Sequence, residues 1–377
     1  MCIRDRLLIG AAFPNTRVQL SPARAALDVR LSGDALAGHV HVPDDANATV
    51  EGQLDRLYWT SATPAPDPAT AATRPATSPD GSTPVEDDLD PTALPPLSLQ
   101  IGDLRFGDAK LGQTTLRTRK LPAGLHIDTL QMRAPQQKVD ITGDWTGRGR
   151  SARTHLQVRV DSDDVGTLMD GLGFTGRVRG GHGKVGLDLA WPSSPAGFTL
   201  AGLDGSARFD IHDGALLEVE PGAGRVLSLF SLTQLPKRLM LDFRDFFSKG
   251  LAFNQVKGEV DLGGGQARTD DTVINGSAAE IRITGSTDLK AQTFDQTIHV
   301  LPRSGNLLTV VGAVAGGPVG AAVGAAANAV LRKPLSEVGA KTYHVTGPWK
   351  DPDVQVTEHN EAAPAPAPTP TAPTPTP

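Results

Sequence analysis

Along most of this chain apolar and polar side chains alternate one by one. That is the period of a strand with one covered face, not of a helix. Arg17-Val18-Gln19-Leu20, Ala26-Leu27-Asp28-Val29-Arg30-Leu31, His39-Val40-His41-Val42 and Leu54-Asp55-Arg56-Leu57-Tyr58-Trp59 alternate in this way. Leu97, Leu99 and Ile101 share one parity and Leu104 and Phe106 the other, a switch that a β-bulge produces. Val139, Ile141 and Trp145 share a face, as do Leu156, Val158 and Val160. Ala207, Phe209 and Ile211 follow, then Val256, Val260 and Leu262, Ile281 and Ile283, and Ile298 and Val300. Turns are signalled at Pro122-Ala123-Gly124, Gly147-Arg148-Gly149 and Gly263-Gly264-Gly265, and Gly176–Gly186 reads as a hairpin. Tyr343–Thr346 and Val354–Val356 form a last strand pair. The sequence predicts a mainly β fold. Ile141-Thr142-Gly143, Ile283-Thr284-Gly285 and Val345-Thr346-Gly347 repeat one shape without a strict period, which suggests strands stacked along an elongated sheet.

Several segments break the alternation. Residues 61–96 are dominated by Ala, Thr, Pro and Asp with an acidic clump at Glu86-Asp87-Asp88, and read as an extended insert between strands or a boundary. Val226–Lys249 mixes apolar bulk with basic heads, with Leu229, Phe230, Leu239, Phe243, Phe246 and Phe247 among Lys237, Arg238 and Arg244. Pro236 splits any helix there. Such helices either lie in a membrane interface or plug one end of a sheet. Ser304–Leu331 is long enough to span a bilayer but weakly apolar and interrupted by Pro318. Its Gly312, Gly316, Gly320 and Gly324 recur every fourth residue, a smooth helical face suited to insertion, to capping the sheet or to self-association. The division expected is strands over 7–60, the insert over 61–96, a β-domain over 97–357 and a Pro-rich disordered tail over 358–377. Residues 1–6 look like a translated sequencing adapter, and Leu7-Leu8-Ile9 is too short for a signal-peptide core.

Composition narrows the function classes. The 377 residues carry 36 Lys and Arg against 42 Asp and Glu, a net charge of −6, which argues against a nucleic-acid binder held by a basic face. A single Cys excludes a disulfide scaffold, a Cys-based zinc site or an iron–sulfur cluster. No catalytic constellation and no cofactor motif stands out. His39 and His41 share a strand face but lack a third ligand nearby. An EF-hand counted from Asp161 would need Glu at its twelfth place, where Leu172 stands, so Ser162-Asp163 reads better as a helix start. The chain reads as neither an enzyme nor a metal site.

The run from "VEPGAGRVLSLFSLTQLPKRLMLDFRDFFSKGLAFNQVKGEVDLGGG" to "INGSAAEIRITGSTDL" resembles the C-terminal region of the YhdP family of AsmA-like envelope proteins. "LPPLSLQIGDLRFGDAKLG", "ITGDWTGRGRSARTHLQVRVDSDDVGTLMDGLGF", "DLAWPSSPAGFTLAGLDGSARFDIHDG" and the terminal "YHVTGPWKDPDVQV" fit it too. The similarity runs from about Leu54 to Val356 and is most specific over Pro221–Gly258, with Asn254 a departure where Asp is usual. The resemblance implies a long, twisted, U-shaped antiparallel β-sheet with a few short helices near its C-terminal end. It also implies a protein anchored in the inner membrane of a Gram-negative bacterium by a helix outside this chain. Such a protein projects through the periplasm, carries phospholipid toward the outer membrane and maintains that membrane's barrier. Its partners would be acyl chains and the inner leaflet of the outer membrane, or another envelope protein.

A sheet with one apolar face must have that face covered. Acyl chains in a groove would do so, since each buried CH₂ contributes about 0.8 kcal/mol. Val139, Ile141, Leu156, Val158, Phe209, Ile211, Ile281 and Ile283 are the candidate lining, with the parity that faces inward left open. The phenylalanine- and leucine-rich segment and the glycine face named above are the candidate membrane contacts. A structural tether or docking module without lipid, and a secreted β-repeat adhesin, are the competing readings.

Overall fold

A computed structural model describes residues 7–8, 11–13, 15–59, 90–172, 174–217, 251–277, 279–303, 340–349 and 351–359. The adapter-like residues 1–6, most of the Pro-rich insert, Val226–Lys249, Ser304–Leu331 and the tail from residue 360 lie outside them. The six membrane-contact candidates between Leu229 and Phe247, and Gly312, Gly316, Gly320 and Gly324, therefore lie outside too.

A two-residue pair, β1 (Leu7–Leu8) with β2 (Ala11–Ala12), precedes one large sheet. The sheet begins with β3 (Arg17–Ala23), β4 (Ala26–Ser32), β5 (Leu36–Pro43) and β6 (Val50–Trp59). It continues with β7 (Leu97–Phe106), β8 (Ala109–Leu121), β9 (Gly124–Ala134), β10 (Gln137–Thr146) and β11 (Arg153–Ser162). After the helix α1 (Val165–Gly171) come β12 (Val178–Trp191), β13 (Asp204–Leu216) and β14 (Leu251–Gly263). It ends with β15 (Gln266–Gly276), β16 (Ala279–Asp288), β17 (Thr293–Pro302), β18 (Lys341–Pro348) and β19 (Asp353–His359). Each of these 17 strands pairs with the next in chain order. Among the described residues β3 pairs only with β4 and β19 only with β18, so the sheet is open, with two edges, and does not close into a barrel.

Every neighbour pair is antiparallel except one. β6 and β7 run parallel, from Val50 opposite Leu97 to Trp59 opposite Phe106. The intervening residues carry the chain from the end of β6 back to the margin where β6 began. On the polar face of this pair the Tyr58 hydroxyl donates to Asp103 Oδ2 at 2.7 Å. Arg105 bonds the same oxygen at 3.0 Å and lies 4.1 Å over the Tyr58 ring. Burial pushes the Asp103 carboxyl up, but the bonds from Tyr58 and Arg105 outweigh it and hold it below the usual carboxylate range. The bulge expected after Ile101 is present, as register shifts between Ile101 and Leu104 and again before Arg105.

The repeated Thr-Gly shape has a physical basis. Gly143, in β10, stands opposite Leu156, and a Cβ there would lie 2.1 Å from the His155 carbonyl oxygen. Gly285, in β16, has φ +115° and the same conflict with the Asp295 carbonyl at 2.4 Å. Both positions need a residue without a Cβ so that neighbouring backbones can approach closely.

Two expectations are corrected. Gly176–Gly186 is not a hairpin, since Val178–Trp191 is one fourteen-residue strand. Gly180 and Gly181 take φ +61° and +83° and Asp213, on the neighbouring strand, takes φ +52°. The glycines thus mark a local irregularity within the ladder, and the chain reverses later, over residues 192–203. The helix starts slightly after Ser162-Asp163: Asp164 is its N-cap, accepting from the Thr167 amide at 3.0 Å and its hydroxyl at 2.8 Å.

The two margins of the sheet differ. Five of the tight reversals from β8 onward lie at one margin, at residues 122–123, 147–152, 264–265, 289–292 and 349–352. We call this the hairpin margin. The connection that carries α1 leaves and re-enters at the opposite margin, as do those between β13 and β14 and between β17 and β18. α1 touches both β12 and β8. Gly166 packs on the backbone of Val178–Gly180, and Gly171 packs on Ala109. A seven-residue helix covers about 10 Å, whereas β8 and β12 would stand about 19 Å apart on a flat sheet. Bridging them requires the sheet to curl toward the helix.

Candidate functional site: an apolar trough

The strand registers sort side chains into two faces. Three cross-strand rows run along one of them. The first is Met132–Val139–Val160–Val185–Phe209, the second Leu130–Ile141–Val158–Leu187–Ala207–Val260, and the third Ile127–Gly143–Leu156–Leu189–Gly205–Leu262. No Asp, Glu, Lys or Arg interrupts these rows. Further along, Ile211 stands opposite Val256, Val256 opposite Ile274, Ile274 opposite Ile281 and Ile281 opposite Val300. Every apolar position is one residue away from a polar one, because successive side chains point to opposite faces.

The other face is charged and paired within itself. Arg133 meets Asp140 at 2.7 Å, His126 meets Asp144 at 2.6 Å, His155 meets Asp188 at 2.6 Å, and Arg208 pairs with Glu259. The hydrogen bond from His155 is the main cause that holds the Asp188 carboxyl below the usual range. His41 belongs to the same scheme, 2.7 Å from Asp28. Among the described residues no group of three His, Cys, Asp or Glu is placed to hold a metal ion.

All eight lining candidates lie on the apolar face. Ile141, Leu156, Val158, Phe209 and Ile211 are only half-buried, although each sits in the interior of the sheet. Neighbouring side chains cover their flanks, and Ile211 also packs against the buried cluster centred on Ile274. Val139 is buried beside Ala109, Leu111 and Met132, near the margin that α1 bridges. Ile281 and Ile283 are buried in a closed cluster with Ile274, Ile298, Val300, Tyr343 and Val345. Between β8 and β14 the middle rows of the apolar face are thus half-buried, with a buried patch around Val139 near the α1 margin, whereas β15–β19, together with Leu251 and Phe253 of β14, form a sealed cluster.

Several threonines on this face bond within the protein. Thr118 Oγ1 accepts from the Leu97 amide at 2.8 Å, and the Thr269 and Thr272 hydroxyls bond each other at 2.7 Å. They add no charge to the face. Near the hairpin margin the face ends in a different row, Lys120–Leu125–Trp145–Thr154–Trp191. Of this boundary row the alternation marks only Trp145, as a face-mate of Val139 and Ile141 with no role of its own. The signal that could have found it is Trp or Lys placed two residues beyond an apolar run, just before a turn.

Among the described residues no helix is long and apolar enough to cross a membrane. No solved structure matches the chain. One similar protein is the intermembrane phospholipid transporter YhdP of Escherichia coli (strain K12), 28% identical over 218 residues. The match covers 58% of this chain but 17% of that protein, so the chain spans less than a fifth of its relative's length. The family model described as YhdP protein matches residues 5–354. With nearly its whole length inside that match, the chain belongs to the YhdP family.

Proposed function

We propose that this chain is a section of a lipid conduit, in which phospholipid acyl chains cover the apolar face between β8 and β14. The observation that carries the reading is the set of charge-free rows whose interior members, Ile141, Leu156, Val158, Phe209 and Ile211, are left half-covered by protein. Six strand spacings make this stretch about 29 Å long. That is about two acyl-chain lengths, taking one as half of a bilayer's ~30 Å hydrocarbon core. A chain sliding along the trough exchanges one hydrocarbon contact for another, so the apolar face presents no large barrier and transport needs no bond chemistry.

Similarity to an intermembrane phospholipid transporter supports phospholipid as the cargo. In the full protein the trough would form part of a periplasmic bridge from the inner to the outer membrane of a Gram-negative bacterium and so sustain the outer-membrane barrier. Val226–Lys249 and Ser304–Leu331 would contact the outer membrane's inner leaflet or an envelope protein. Both connections depart from the margin that carries α1.

The test is lipid content. Mass spectrometry of the purified chain should find co-purifying phospholipid, and Ile141→Asp should lower it more than tenfold while the fold survives. A folded, monomeric wild-type chain that carries no lipid and takes none up from vesicles would overturn the reading.

A further inference from the structure

We propose that the hairpin margin between β8 and β12 is a phosphate station, which holds the anionic head group of a lipid whose chains lie in the trough. The inference rests on the trough reading and adds a polarity across it: head groups keep to this margin.

The boundary row supplies the first observation. Trp191 and Trp145 flank Thr154 in that row. The Trp191 indole donates to the Ser194 carbonyl at 2.8 Å, and the Thr154 hydroxyl donates to the Ser193 carbonyl at 2.8 Å. The Trp145 indole N–H is also buried, yet it has no acceptor. A buried donor left unpaired is costly, and a Trp with its ring in hydrocarbon and its N–H at a polar boundary suits an ester or phosphate oxygen.

The turn that follows supplies the second. Gly147 and Gly149 take φ +73° and +51°, which folds residues 147–152 tightly. Exposed Arg148 and Arg150 thus lie in one turn, in a chain whose net charge is −6, while exposed Arg153 opens β11 on the face away from the trough. Arg148 has one long contact, 3.6 Å to Asp90, and neither Arg150 nor Arg153 meets a carboxylate among the described residues. The nearby carboxylates are already engaged. Asp90 accepts from Thr92, Asp128 from Arg119, and Asp144 pairs with His126. Guanidinium groups free of carboxylates around one turn are suited to phosphate oxygens, which they bind in bidentate fashion.

The experiment compares retention, by native mass spectrometry of the full chain, of phosphatidylglycerol and of diacylglycerol with the same acyl chains. Combined Arg148→Gln and Arg150→Gln should lower phosphatidylglycerol retention about tenfold and leave diacylglycerol unchanged. Trp145→Phe, which keeps an aromatic ring there but deletes the N–H, should lower phosphatidylglycerol about threefold. Phosphatidylglycerol retention unmoved by both variants would overturn the station, as would a parallel fall in diacylglycerol. Competition by millimolar inorganic phosphate, with the same arginine dependence in the lipid-free chain, would overturn it in favour of a free-anion site. A wild-type chain that retains neither lipid would overturn the trough itself.

Discussion

The strands β8–β13 and β15–β19 are built from the same alternating pattern, yet their apolar faces end differently. Phe209 and Val158 stay half-covered, whereas Ile274 is 1% and Tyr343 1% exposed. A strand pattern therefore says that a face must be covered but not by what. In β15–β19 protein atoms do the covering, and the cluster around Ile274, Ile281, Ile298 and Tyr343 has the closure of an ordinary core. In β8–β13 the middle rows stay half-buried, and on the conduit reading proposed above that difference separates a conduit wall from its sealed end.

The sharpest break of this comparison is to place the same charge in both regions. Ile281→Asp puts a carboxylate into a site 3% exposed with no cation in its cluster. We expect a loss of more than about 3 kcal/mol, seen in denaturant titration as a chain largely unfolded at its C-terminal end. Leu187→Asp, in the open rows, leaves the carboxylate within reach of water once lipid is gone. It should cost about 1 kcal/mol and abolish lipid retention. Equal destabilisation at the two sites would mean that the open region is an ordinary core.

A milder pair removes volume instead. Ile298→Ala opens a cavity in the sealed cluster and should cost about 2–5 kcal/mol. Val158→Ala removes side-chain surface that is already partly wet and should cost about 1 kcal/mol or less in the lipid-free chain. With lipid bound the Val158→Ala cost should grow, because the cavity then lies against hydrocarbon. Thermal melts of both variants, with and without bound phospholipid, would measure that change.

Much of this was legible in the sequence, for a simple reason. Period-two alternation fixes which side chains share a face, so Val139 with Ile141 and Phe209 with Ile211 can be paired from the pattern alone. The Thr-Gly repeats were visible because close backbone approach at Gly143 and Gly285 admits only glycine. Three features were not legible. The parallel β6–β7 pair depends on where a long insert returns, which alternation does not encode. The glycines of Gly176–Gly186 serve an in-strand irregularity, and glycine composition alone does not distinguish that from a turn. The split between half-buried and sealed rows depends on how closely side chains from distant strands pack around residues such as Ile281, a long-range fact absent from local pattern.

The face turned away from the trough should matter least to stability, and acid tests this. His155 holds the Asp188 carboxyl below its ordinary value of 3.8. A carboxylate with a lowered folded-state pKa adds stability that is fully present above the unfolded value and is lost as pH falls through the folded one. The Asp188 contribution should therefore be constant at neutral pH and disappear below about pH 4. The side chains of the pair are 40% and 51% exposed, so the contribution should stay below about 1 kcal/mol and shrink with added salt. Asp188→Asn should consequently flatten the acid limb of a pH–stability curve slightly and leave lipid retention at pH 7 unchanged. A large loss of retention in Asp188→Asn would instead tie the outer charges to the trough, and the separation of the two faces would no longer hold.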